Sequence, residues 1–96
     1  MFIDRYLSNN KLKLLYSTYK SEYIEELNED NFIKVYELFR EYNFYFIDDI
    51  ILNYLEIFEL NPIQVEIKIL ELNKKMGKDF IYIIGSDLRN LEIMLD

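Results

Sequence analysis

The chain has no cysteine and no histidine, and it contains only one proline and two glycines among its 96 residues. Without cysteine it has no disulfide and no thiol nucleophile, and the lack of histidine removes most zinc sites and most nucleophile–base pairs. All-β sandwiches and barrels need many tight turns, which usually contain glycine or proline. We therefore expect a helical protein that is not an enzyme and has no metal or other cofactor.

Basic residues are also in deficit, because 18 acidic residues face 11 basic ones and the net charge is −7. Nucleic-acid binding rests on clustered Lys and Arg, so we expect no direct contact with nucleic acid. The most apolar stretch, residues 44–58, is interrupted by three acidic residues and is too polar to span a bilayer. Asp4 and Arg5 lie where a signal peptide would be apolar. The sequence predicts a cytoplasmic protein outside the membrane.

Apolar residues are plentiful, at 51% of the chain, and their spacing indicates helices. The clearest helix is Pro62–Met76, preceded by Asn61 as the N-cap residue. Gly77 follows it as the residue expected to leave the helix with positive φ. One face of this helix is apolar and consists of Val65, Ile69, Leu72 and Met76.

The same spacing predicts a helix from about Lys11 to Leu27, one from about Phe32 to Asn43, and one over 47–58. The segments 43–51 and 79–85 are also rich in branched and aromatic residues, so an α+β fold with short strands near 44–47 and 79–84 is the alternative. Asp48 and Asp49 would sit poorly within a strand. We therefore predict an all-α bundle of about five to six helices.

Two halves of the chain share sequence. The segment "IKVYEL" at 33–38 matches "IKILEL" at 67–72, and "LEIF" at 55–58 matches "LEIM" at 91–94. The period is about 34 residues, which is typical of paired helices. We predict a single domain, residues 1–96, in which two helix-pair units, Asn28–Leu60 and Asn61–Leu95, follow an N-terminal helix.

This arrangement, with its Asn61-Pro62 cap and its "LEIM" close, is similar to the helical repeats of mitochondrial transcription termination factors. Those proteins bind nucleic acid through a basic concave surface. This acidic chain lacks such a surface, so the resemblance implies no function here.

Two groups of residues are candidates for a binding surface. The segment "SEYIEELNED" at 21–30 contains five acids and no base, and helical spacing would place most of them in one strip. The nine tyrosines are unusual, and tyrosine is enriched at protein interfaces. The alternatives are a solvated helix end and ordinary core packing. The candidate partner-binding residues are Glu22, Glu25, Glu26, Glu29 and Asp30, together with Tyr16, Tyr19 and Tyr23 on the adjoining helix face.

The sequence therefore predicts a small acidic module that binds a partner protein with a basic surface. One concrete version is an inhibitor or regulator of a nucleic-acid-binding protein, such as a phage-encoded inhibitor of host defence. The alternative is a structural domain without catalytic activity, whose helices form a homo-oligomer.

Overall fold

The computed structural model describes all 96 residues and contains only helices. Six are α-helices and three are short 3-10 helices, η1 to η3. The all-α prediction is confirmed. The alternative with strands near 44–47 and 79–84 is wrong, because the structure has no strand: residues 44–46 form an irregular connection, and helices begin at Ile47 and at Phe80. In chain order the elements are η1 Phe2–Arg5, α1 Asn9–Thr18, α2 Ser21–Glu25, α3 Glu29–Glu41, α4 Ile47–Asn53, η2 Leu55–Glu59, α5 Pro62–Met76, α6 Phe80–Ser86 and η3 Leu88–Leu95.

A single hydrophobic core of 23 buried residues, all of them apolar, joins these elements. Helix α3 packs against η2 and α5, and α1 packs against α4. No buried polar side-chain atom lacks a hydrogen-bond partner. None of the helices combines the length and apolar character needed to cross a membrane.

Local capping explains where α3 and α5 begin. The Asn28 side chain accepts a hydrogen bond from Asn31 N–H at 2.9 Å, and the Asn61 side chain accepts one from Ile63 N–H at 2.9 Å. Both asparagines thus satisfy an amide that has no partner within its helix. Helix α5 has the predicted bounds, and Gly77 follows it with φ +83°.

Two predicted helices are interrupted, and each interruption falls at a tyrosine. The predicted helix from Lys11 to Leu27 is wrong, because Tyr19 and Lys20 are extended, with ψ of 149° and 141°. At this break the Tyr19 hydroxyl accepts a hydrogen bond from Leu55 N–H at 3.1 Å. The predicted helix over 47–58 is also two elements, α4 and η2, which are separated at Tyr54. A contact between residues far apart in sequence therefore accompanies the first break, and the local spacing of apolar residues does not predict it.

The two predicted units contain the same order of elements. A long helix, a seven-residue helix and a 3-10 helix occur as α3, α4 and η2, and again as α5, α6 and η3. The only two residues with positive φ, Asn43 and Gly77, both follow the long helix. The "LEIF" and "LEIM" segments both lie in 3-10 helices. The duplication itself remains a prediction.

Candidate protein-interaction surface

The five acidic residues of 21–30 are all exposed, but two helices carry them. Glu22 and Glu25 lie on α2, Glu26 is its C-cap residue, and Glu29 and Asp30 form the first turn of α3. The prediction of one strip on one helix is therefore wrong, because the helix ends before Leu27. Since negative charge at a helix N-terminus is favourable, the α3 dipole stabilises the two acids at its start.

The three candidate tyrosines are likewise not on one helix. Tyr16 lies on α1 with 39% exposure, and its hydroxyl contacts the sulfur of Met1 at 3.5 Å. Tyr19 ends α1 and Tyr23 lies on α2, and their half-buried rings stack with centroids 5.7 Å apart. The structure therefore brings Tyr19 and Tyr23 together, whereas Tyr16 lies apart from them and contacts Met1.

Tyr19 and Tyr23 connect the acidic segment to η2. The Tyr23 hydroxyl donates a hydrogen bond to the carboxylate of Glu59. Burial and the neighbouring Glu56 carboxylate raise the pKa of Tyr19 to about 12. Burial and the hydrogen bond to Glu59 likewise raise the pKa of Tyr23 well above its ordinary value. The Tyr23 hydroxyl thus ties the Glu59 carboxylate to α2, and the Glu56 carboxylate lies near Tyr19.

A second set of contacts fixes η2 to the start of α3. The Asn31 side-chain amide donates hydrogen bonds to the carbonyl oxygens of Phe58 at 2.7 Å and Leu60 at 2.9 Å. Carboxylates from α2, α3 and η2 thereby belong to one fixed region of the molecule. We call this region the acidic surface, and it consists of Glu22, Glu25, Glu26, Glu29, Asp30, Glu56 and Glu59.

The acidic surface has little internal charge compensation. Within it only Glu29 forms an ion pair, with Arg5 at 3.2 Å, and both side chains are largely exposed. Sequence reasoning missed Glu56 and Glu59, because nothing local to η2 indicates that Tyr19 and Tyr23 reach it. The carboxylates are spread over the surface, and no group of three or more acidic side chains is placed to hold a metal ion.

Sequence reasoning also missed an exposed aromatic pair. Tyr45 and Tyr82 are 68% and 72% exposed, and their ring centroids are 6.0 Å apart. They border a groove of about 480 Å³, with Glu41 and Lys78 also in its lining. Because the groove carries one acid and one base, its charge does not indicate a particular ligand.

Comparison with known proteins adds no further constraint. No family model matches the chain, and neither curated proteins nor solved structures give a significant match. The functional argument therefore rests on the surfaces of the molecule.

Proposed function

We propose that the protein is a small interaction module whose acidic surface binds a basic surface on a partner protein. The observation that carries this proposal is that three segments joined by tertiary hydrogen bonds carry seven carboxylates, only one of which has an ion-pair partner within the chain. Tertiary hydrogen bonds from Tyr23 and Asn31 hold these segments in place. A fixed array of like charges loses less entropy on binding than a flexible one would.

The energetics of the free protein favour such a partner. Glu22, Glu25 and Glu26 are exposed and lie within one short stretch, so they repel one another and contribute little to folding stability. Lys and Arg on a partner would relieve this repulsion and would accelerate association by electrostatic steering. The charge pattern costs the folded protein some stability and gains binding energy only in a complex.

The partner that fits best is a protein whose basic surface binds nucleic acid. Such surfaces carry clustered Lys and Arg side chains that contact successive phosphates. An array of carboxylates on a helical scaffold carries the same sign of charge as the phosphates of nucleic acid. It would therefore compete with nucleic acid for the basic surface. We therefore infer that the protein is an inhibitor or regulator of a nucleic-acid-binding protein, for example a phage-encoded inhibitor of host defence.

Charge reversal tests this proposal. The variant Glu22→Lys/Glu25→Lys should lose partner capture from the native host lysate, while its circular dichroism stays unchanged and its melting temperature does not fall. The matched control is Glu41→Lys/Asp79→Lys, which makes the same change in net charge at two exposed acids outside the acidic surface. It should keep capture, and capture by the native protein should weaken as salt rises. Equal capture by the native protein and the first variant would contradict the proposal.

A further inference from the structure

The exposed aromatic pair, Tyr45 and Tyr82, lies in the lining of a groove that shares no residue with the acidic surface. Their rings are tilted by 51° to each other, with centroids 6.0 Å apart. The groove measures about 480 Å³. Its lining also includes two further aromatic rings and two polar side chains, those of Tyr42, Phe80, Asn43 and Lys78. We call it the tyrosine groove.

Contacts within the chain hold this aromatic lining in place. The Tyr45 ring packs edge-on against Phe46, with centroids 4.9 Å apart. Its hydroxyl lies so close to Gly85 that a Cβ there would be 2.7 Å away. The Tyr42 hydroxyl donates a hydrogen bond to the Glu66 carboxylate at 2.9 Å. Because these rings are already positioned, a ligand that binds against them costs less side-chain entropy than it would on a flexible surface.

Several hydrogen-bond donors of the tyrosine groove have no partner within the chain. Four of them make neither a hydrogen bond nor an ion pair to another residue: the Tyr45 and Tyr82 hydroxyls, the Asn43 side-chain amide and the Lys78 ammonium. Tyrosine and asparagine can also accept, but an ammonium group can only donate. The groove therefore suits a ligand that combines apolar surface with free acceptors.

The charges of the groove favour a neutral ligand. Aromatic rings attract cations such as methylated ammonium groups, but Lys78 would repel them here. Glu41, which also lines the groove, would repel a phosphate, and so would the net charge of −7. A neutral apolar segment with free carbonyl oxygens meets neither repulsion.

A proline-rich segment in the polyproline II conformation has these properties. Proline has no backbone N–H, and polyproline II forms no internal hydrogen bonds, so its carbonyl oxygens are free acceptors. Such segments dock in aromatic-lined grooves, because their conformation is fixed before binding. We propose that the tyrosine groove binds a proline-rich segment of a partner protein. Proline rings pack against Tyr45 and Tyr82, and the free donors bind the carbonyl oxygens of the segment.

Titration with an uncharged peptide tests this site directly. Decaproline with blocked termini, added to isotope-labelled protein, should shift the backbone amide resonances of Asn43, Lys78 and Tyr82 in NMR spectra. A blocked Gly-Ser peptide of the same length is the control, because it is flexible and offers no proline rings, and it should shift none of them. Since decaproline carries no charge, its affinity should not fall as salt rises, whereas capture through the acidic surface should weaken.

Variants of one ring separate its apolar contact from its hydrogen bond. Tyr82→Phe keeps the ring and should weaken decaproline binding about fivefold. Tyr82→Ala loses both contacts and should weaken it roughly thirtyfold. Leu14→Ala is the control, because it shortens a 56% exposed side chain outside the groove, and it should bind decaproline like the native protein. Circular dichroism of each variant should match that of the native protein.

Three results would overturn the proposal. The first is an absence of amide shifts at millimolar decaproline, or shifts confined to residues outside the groove. The second is equal binding by the native protein and Tyr82→Ala. The third is tighter binding of a blocked peptide that contains trimethyllysine than of decaproline, which would assign the groove to a cationic ligand.

Discussion

At the scale of single residues, Phe32 packs against four other aromatic rings, more than any other aromatic residue of the chain. It is fully buried, and its ring lies within 6.2 Å of those of Phe2, Tyr6, Tyr36 and Phe58. Phe32→Ala should lower the free energy of unfolding by about 3–5 kcal/mol, because it removes buried area and leaves a cavity. Urea denaturation measures this change. Tyr82→Ala, at a 72% exposed ring, should change it by less than about 0.5 kcal/mol. Similar losses in the two variants would contradict the described core.

Tyr19 contributes a hydrogen bond rather than surface chemistry. Its hydroxyl is the acceptor for the N–H of Leu55, a fully buried residue. Tyr19→Phe should therefore destabilise the protein by about 1–3 kcal/mol at neutral pH. Tyr16→Phe, whose hydroxyl contacts only the Met1 sulfur, is the control and should be nearly neutral. Equal effects would show that the Leu55 amide finds another partner.

The raised pKa of Tyr19 adds a pH dependence with a definite sign. The folded state favours the neutral hydroxyl, with a pKa of about 12, whereas an unfolded tyrosine ionises near ~10. The stability that this group contributes is complete below pH ~10 and is lost as pH rises towards 12. The stability difference between native protein and Tyr19→Phe should consequently narrow over this window. Chemical denaturation at a series of alkaline pH values measures it, and a constant difference would contradict the pKa shift.

At the scale of elements, glycine is required at Gly77 and at Gly85 for different structural reasons. Gly77 ends α5 with φ +83° and ψ −166°, a conformation that side chains disfavour, although a Cβ there would meet no atom within 4 Å. In α6, a Cβ on Gly85 would lie 2.7 Å from the Tyr45 hydroxyl and 3.0 Å from the Phe46 ring. Both changes to alanine should destabilise by about 1–3 kcal/mol, the first through backbone strain and the second through overpacking.

The causes can be separated by a second substitution at each contact. Shortening Tyr45 to alanine should rescue part of the Gly85→Ala loss and none of the Gly77→Ala loss, as thermal unfolding of the double variants would show. Replacing an ordinary helical glycine by alanine stabilises a protein by about 1 kcal/mol. A gain of that size in Gly85→Ala would contradict the close approach of Tyr45 to this position.

How much of the fold can be predicted from sequence depends on whether the signal is local. Helix α5 is predictable because its cap, its buried row and its final glycine all lie within one stretch. The breaks at Tyr19 and Tyr54 are not, since apolar spacing continues through them. Tyr19 is bonded to Leu55, and the Tyr54 hydroxyl donates to Glu92 at 2.9 Å. A contact with a segment distant in sequence accompanies each break.

The same distinction applies to the surfaces. The five acids of 21–30 are adjacent in sequence, so a charge count finds them. Glu56 and Glu59 join them only through the folded contacts of η2. On α5, the spacing of Val65, Ile69 and Leu72 predicts the row that the core covers. The exposure of Ile63, Ile67 and Leu70 on the same helix is known only from the folded structure.

At the scale of the whole molecule, the two predicted units depend on each other. Helix α3 of the first packs against α5 of the second, and η2 packs against η3. The join between the units, Leu60 and Asn61, has an extended backbone at Leu60 and an exposed side chain at Asn61. A cut at this join removes no helix but separates the two halves of one core.

Dividing the chain there should give two fragments, residues 1–60 and 61–96, that do not unfold cooperatively alone. The second fragment is shorter than the roughly 40 residues below which a chain seldom folds without disulfides or metals, and the first loses the cover of α5 over α3. Mixed in equal amounts, they should regain helical circular dichroism and a cooperative thermal transition, because the buried faces of α3 and α5 remain complementary.

Leu72→Ala in the second fragment is the control, and it should weaken reassembly by removing a side chain that is 2% exposed in the intact core. A cooperative transition in residues 61–96 alone would show that this unit is an independent domain. Failure of the native fragments to reassemble would show that the covalent connection at Leu60–Asn61 is needed to form the core.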